Sequence, residues 1–127
     1  MIWNFLKGVL IKILPSLGYK GTIDTQVSIY KTNKKRYPDV SEDKILIRLL
    51  NSRLKVLRKD PETIYYYSQL VQQQDKTPED IISKMAEWEY IDNSRSRAIR
   101  AKQNIPEDFI ERFRAEIREY VRFRLQK

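Results

Sequence analysis

The sequence contains no cysteine and no histidine. Without cysteine there can be no disulfide and no thiolate zinc site, a composition that fits a reducing compartment. Without histidine the chain lacks the usual general base near neutral pH, the commonest metal ligand, and every Ser–His or Cys–His catalytic pair. Catalysis would have to rest on carboxylates, lysine or tyrosine alone, so the expectation is a binding module and not an enzyme. No run of about eighteen apolar residues is present to span a membrane. No dinucleotide fingerprint, phosphate loop, calcium loop or zinc spacing occurs either, so no metal or cofactor is expected. Glycine and proline are scarce, three and five among 127 residues, which fits a folded helical protein better than a disordered tail.

What is present is charge. Charged residues make up 33% of the chain and hydrophobic ones 41%, and the formal net charge is +8. The length suits one domain with one modest core. Lysine and arginine outnumber the acids by seven to two in residues 1–40, by six to three in 41–60 and by ten to five in 94–127, but residues 61–93 hold two cations against seven acids. An acidic middle therefore lies between basic ends. The surplus favours anionic partners, although part of it can be satisfied within the chain or across an oligomer.

Residues 1–17 read as an amphipathic N-terminal segment, with Ile2, Trp3, Phe5, Leu6, Val9, Leu10, Ile13, Leu14 and Leu17 on about half of a helical wheel. Trp3, Phe5 and Leu6 are the candidates for a partner interface or for insertion into a membrane surface. The same pattern also describes a core or dimer-forming helix, or a strand at Val9–Ile13. The segment lacks the basic start and small-residue cleavage site of a secretory signal, so a cytoplasmic protein is expected. Residues 22–40 read as an extended, basic linker. Ile23, Thr25, Val27 and Ile29 alternate with polar residues, which predicts a short β element near residues 22–31. Lys34, Lys35 and Arg36 follow between Tyr30 and Tyr37, and cations interleaved with aromatics suit single-stranded nucleic acid. A solvated loop would look the same.

Residues 41–127 read as a helical core. Ser41 is a plausible N-cap, followed by Glu42 and Asp43 in the first turn and by Ile45, Leu46, Leu49, Leu50, Leu54 and Leu57 as an apolar stripe. Ser41 and Lys44 also match the Ser-x-x-Lys pattern of lysine-assisted serine hydrolases, but nothing else of that motif set is present, and capping explains the residues. Asp60–Pro61–Glu62 and Thr77–Pro78–Glu79–Asp80 repeat the grammar of cap, proline and acid. The next helix either continues from Pro78 to about Lys102 or breaks at Asp92–Asn93–Ser94. A recognition helix starting at Pro78 would present Glu79, Asp80, Glu87 and Glu89 to a groove that wants donors, which argues against a DNA-reading helix-turn-helix. The acidic clusters Glu87/Glu89/Asp92 and Glu107/Asp108/Glu111 could in principle hold magnesium, but they read more simply as surface acids and dipole partners.

The last third carries the clearest signal. Arg95, Arg97, Arg100 and Lys102 crowd into eight residues, and a helix then starts at Pro106. Phe109, Ile110, Phe113, Ile117, Tyr120 and Val121 form its apolar stripe. Arg114, Arg118 and Arg122 follow at four-residue steps as a ridge of like charge. Arg112 with Glu116, and Glu119 with Arg122, sit at ion-pair spacing within the helix. The expected architecture is mainly α, a single domain of four to five helices. The expected role is a non-catalytic basic module that binds DNA or RNA through backbone phosphates, largely independent of sequence. Arg114, Arg118 and Arg122 would form its main ridge, and Lys34, Lys35, Arg36, Arg95, Arg97 and Arg100 would be auxiliary. The alternatives are a self-associating adaptor and, with less behind it, a membrane-surface protein held by residues 2–17.

Overall fold

The computed structural model describes residues 18–57 and 60–127. Trp3, Phe5, Leu6 and the rest of the N-terminal segment lie outside the described residues. Among these residues there are six α-helices and one π-helical turn, and no strand: α1 (Tyr19–Arg36), α2 (Glu42–Val56), α3 (Pro61–Gln72), α4 (Pro78–Glu87), the π turn (Trp88–Asp92), α5 (Ser94–Gln103) and α6 (Glu107–Gln126). The mainly helical class is as expected, with six helices in place of four or five.

The β element near residues 22–31 is corrected. Those residues are the centre of α1, and the basic stretch Lys34–Arg36 is its last turn, not a linker. The apolar letters there fit two periods at once. Tyr19, Ile23, Val27 and Tyr30 also recur at helical steps, and these are the side chains that α1 buries, together with Gln26. Five β-branched residues between Thr22 and Ile29 cost roughly 0.5 kcal/mol of helix propensity each. Full burial of an aliphatic or aromatic side chain contributes about 1.5–3 kcal/mol, so the packed face outweighs the propensity. Ile29 is left partly exposed on the outer side.

The helix starts follow local chemistry. Ser41 Oγ accepts the Lys44 N–H at 3.3 Å and Thr77 Oγ1 accepts the Asp80 N–H at 3.1 Å, each satisfying a donor that the first turn cannot. Pro61 and Pro78 occupy the first helical positions. The chain turns from α1 to α2 through Tyr37–Pro38–Asp39–Val40, where the Val40 N–H returns to the Tyr37 carbonyl at 3.1 Å, a β-turn with proline at its second position. α5 closes at Asn104 in the left-handed conformation, φ 55°, with the Ile105 N–H reaching back to the Arg100 carbonyl.

One hydrophobic cluster draws on α1, α2, α3, α4, the π turn and α6. α1 packs against α2, α4 and α6, α3 lies along α2, and α4 lies along α6. The most enclosed helix is α4, which buries Ile81, Ile82, Ser83, Met85, Ala86 and Glu87. Its sides are covered by α1 and α6. At Trp88 the ladder widens to a π turn that buries Trp88, Tyr90 and Ile91. Asn93 then breaks the helix: its Nδ2 donates to the Trp88 and Glu89 carbonyls at 2.8 and 3.0 Å, and its Oδ1 caps α5 by accepting the Ser96 N–H at 2.9 Å. One side chain thus ends one helix and begins the next.

Candidate functional site

The arginine ridge of α6 faces the acids of α4. Arg114 Nη1 donates to Glu87 Oε1 at 3.0 Å and to Asp92 Oδ2 at 2.9 Å, while Nη2 donates to Asp92 Oδ1 at 2.9 Å. Arg118 Nη2 lies 3.0 Å from Glu87 Oε2, and its Nη1 lies 3.5 Å from Asp80 Oδ1. Arg122 makes a two-pronged pair with Glu79 through Nε and Nη2, at 3.0 and 3.1 Å. As numbers rise along α6 they fall along α4, so the two helices run antiparallel and zip ridge to ridge. The intrahelical partner expected for Arg122 gives way to this interhelical one, and Glu116 accepts the Tyr19 hydroxyl.

The centre of the zipper is Glu87, whose side chain is 4% exposed. Burial pushes its carboxyl above the usual carboxylate range, against the Arg114 hydrogen bond and the charges of Arg118 and Arg114, which pull it down. The hydrogen bond that Arg114 donates to Asp92 in turn holds its guanidinium more firmly protonated, with burial opposing. At the outer end the Arg122 hydrogen bond keeps Glu79 below its ordinary value. The guanidinium groups expected to stand free as a phosphate-binding ridge are therefore occupied by carboxylates of the acidic middle.

The cluster upstream is split. Arg95 is exposed and has no ion-pair partner among the described residues. Arg97 is exposed, 3.9 Å from Glu62. Arg100 is half-buried and donates to the Ile91 carbonyl, which makes it a brace for the π turn. Arg95 borders a cleft of about 290 Å³ with Arg53, Thr63, Glu89, Asn93 and Ser96. Its polar floor is already paired: Arg53 donates to both oxygens of Glu89, at 3.1 and 2.5 Å, and the buried Tyr67 hydroxyl donates to Glu89 Oε2 at 2.5 Å. Of the acids considered for magnesium, Glu87 and Asp92 share Arg114 and Glu89 takes Arg53. No group of three or more acidic side chains converges among the described residues.

The α1–α2 hairpin is different. Lys34, Lys35 and Arg36 crowd the C-terminal turn of α1, where cations also complement the helix dipole. Lys34 lies 3.5 Å from Glu42. Lys35 and Arg36 are exposed with no carboxylate in reach among the described residues. Lys44, Arg48 and Lys55 lie within one narrow face of α2, opposite the buried Leu46 and Leu50, and all three are exposed and free of ion pairs there. The Arg48 guanidinium sits over the Tyr37 ring, 5.6 Å from its centroid, within cation–π range. The acids nearby are Asp39 in the turn, Glu42, which also accepts the Tyr30 hydroxyl, and Asp43, which takes Lys76 at 2.9 Å.

Lys34, Lys35 and Arg36 stand out in the sequence as a run, whereas Lys44, Arg48 and Lys55 are dispersed among apolar residues. Their signal was present: spacings of four and seven on a helix whose other side is apolar. A second signal is arithmetic. Ten of the 25 cationic residues but three of the 17 acidic ones fall between Lys31 and Lys59. Among known proteins, no family model matches the chain, and no curated protein and no solved structure matches it either.

Proposed function

We propose that this protein is a non-catalytic module that binds nucleic acid through backbone phosphates, using the α1–α2 hairpin as its contact surface. Lys35, Arg36, Lys44, Arg48 and Lys55 form the surface, with Lys34 at its edge. The observation that carries the reading is the pairing pattern. The tail arginines and their acids neutralise each other, so the surplus charge of the chain is concentrated where no carboxylate answers it. Exposed cations at the end of α1 and along one side of α2 suit phosphates, which want charge without fixed geometry, and offer little to read base edges.

Neutralising about five phosphates predicts that affinity falls roughly 100- to 1,000-fold between 50 and 200 mM salt. The test is fluorescence anisotropy with labelled 20-residue oligonucleotides, single- and double-stranded, at several salt concentrations. The Lys35→Gln/Arg36→Gln/Lys44→Gln/Arg48→Gln variant should bind much more weakly and with a flatter salt dependence, whereas Arg122→Gln should bind as the parent does. No binding by the parent at low salt, or equal binding by the hairpin variant, overturns the proposal.

The self-associating adaptor is the competing reading. Val56, Tyr65 and Phe123 are its exposed apolar candidates, and they sit on three different helices. A stable oligomer by light scattering with no affinity for oligonucleotides would favour it. The membrane-surface alternative rests on residues 2–17, which lie outside the described residues.

A further inference from the structure

We infer that the hairpin surface selects single-stranded nucleic acid, with Tyr37 as the platform on which an unpaired base stacks. The inference rests on the reading of the hairpin as a phosphate-binding surface and adds to it the class of strand. Tyr37 is 42% exposed, an aromatic ring left at the surface directly after Lys34, Lys35 and Arg36 in the chain and beneath Arg48. Its backbone is held at both ends: the Tyr37 N–H donates to the Asn33 carbonyl at 2.9 Å, and its own carbonyl accepts the Val40 N–H at 3.1 Å across the Pro38 turn. The ring is therefore carried on a fixed backbone at the junction of two helices. The Arg48 guanidinium lies over one face of the ring, 5.6 Å from its centroid, so the base is assigned to the opposite face.

This arrangement has the two parts that a single strand needs, cations for successive phosphates and a π-face for a base. In a duplex the base faces are covered by their neighbours, so the ring has nothing to stack on while the cations work equally well. The aromatic term should thus separate the two substrates even though the electrostatic term does not. DNA and RNA single strands share the required chemistry, since stacking on an aromatic face tolerates any base.

The experiment compares oligo-dT and oligo-rU of 20 residues, a 20-base-pair duplex and a 20-residue abasic phosphate strand, against the parent, Tyr37→Ala and Tyr37→Phe. Circular dichroism first establishes that both variants keep the helical signal of the parent. Removing one stacked ring is expected to weaken single-strand binding by about tenfold. Tyr37→Phe, which keeps the face, should stay within about twofold of the parent. Duplex and abasic binding should be the same in all three proteins. Equal weakening of single strand and duplex by Tyr37→Ala, or no weakening of either, overturns the inference and leaves the phosphate-binding reading standing. Failure of the parent to bind any of the four strands overturns both.

Discussion

On α6, Arg114, Arg118 and Arg122 meet Glu87, Asp92, Asp80 and Glu79, whereas on the α1–α2 hairpin Lys35, Arg36, Lys44, Arg48 and Lys55 meet no carboxylate among the described residues. In the sequence these two groups are alike, cations spaced along a helix opposite an apolar stripe. In the fold they do opposite things. A ridge of like charge at four-residue steps destabilises a helix by a few tenths of a kcal/mol per pair, and on α6 that repulsion is offset because an acidic ridge on α4 faces it. On the hairpin no carboxylate faces Lys35, Arg36, Lys44, Arg48 or Lys55 among the described residues. Net charge alone does not separate the two cases. The distance from each cation to the nearest acid does.

The sharpest way to break the comparison is to remove cations from each region and measure stability. Arg114→Ala would leave Asp92 without its partner and the buried Glu87 with Arg118 alone. Breaking a largely buried ion pair from one side costs about 3 kcal/mol or more. The four-residue hairpin variant, by contrast, should change stability by no more than about 0.5 kcal/mol per substitution, as surface substitutions do. Urea unfolding followed by circular dichroism reads both. Equal losses in the two variants would mean that the hairpin cations are also structural, and the contrast would be gone.

What the sequence disclosed and what it hid follow from range. Helix starts are local, so Ser41, Asp60–Pro61 and Thr77–Pro78 were legible, and the start expected at Pro106 came within one residue. The stripe of α6 was legible because six apolar residues fit one period and no other. Residues 22–31 were not, because their apolar positions satisfy both a period of two and a period of 3.6, and the faces of α2, α4 and α6 decide between them. The π turn leaves no local mark, being one residue accommodated by the packing of Trp88 and Ile91. The fate of the tail ridge was hidden for the same reason. The partners of Arg114 lie 22 and 27 residues away and that of Arg122 lies 43 away, and composition could say only that an acidic middle existed.

A smaller effect separates the two ends of the zipper by pH. Glu79 is held below its ordinary value by the Arg122 hydrogen bond, with burial opposing. For Asp80, burial pushes upward but hydrogen bonds from Gln73 and Lys84 and the charges of Lys84 and Arg118 outweigh it. Groups with depressed values stabilise the fold above the unfolded carboxylate range and lose that contribution as pH falls through the folded value, so the loss begins below about pH 4. Glu87 has the opposite sign. Its raised value means that the folded state takes up the proton first, so acidification from neutral pH removes a cost before the loss sets in. Unfolding free energies measured between pH 3 and 7 should hold steady or rise slightly on acidification and then drop. Glu87→Gln should abolish the early rise and keep the late drop. A loss of stability already complete by pH 6 would contradict both assignments.

The smallest expected effect is also the most discriminating about where a structural cation ends and a binding one begins. Arg122 pairs with Glu79 in good two-pronged geometry, yet its side chain is 56% exposed. Water and salt screen such a pair, and holding two long side chains in one geometry costs entropy, so the pair contributes little to folding. Arg122→Gln should leave the unfolding midpoint unchanged within error. It should leave nucleic-acid binding unchanged as well, because Glu79 already answers this guanidinium. Glu79→Gln is the reciprocal test. It frees Arg122 without removing it, and a gain in oligonucleotide affinity on that change would show that the outer end of the ridge is a binding cation held in check by its acid. No gain is expected if the hairpin alone carries the contact, and stability should again be unaffected. The pair of substitutions thus asks whether proximity to an acid, and not position along the chain, decides the role of a cation in this protein.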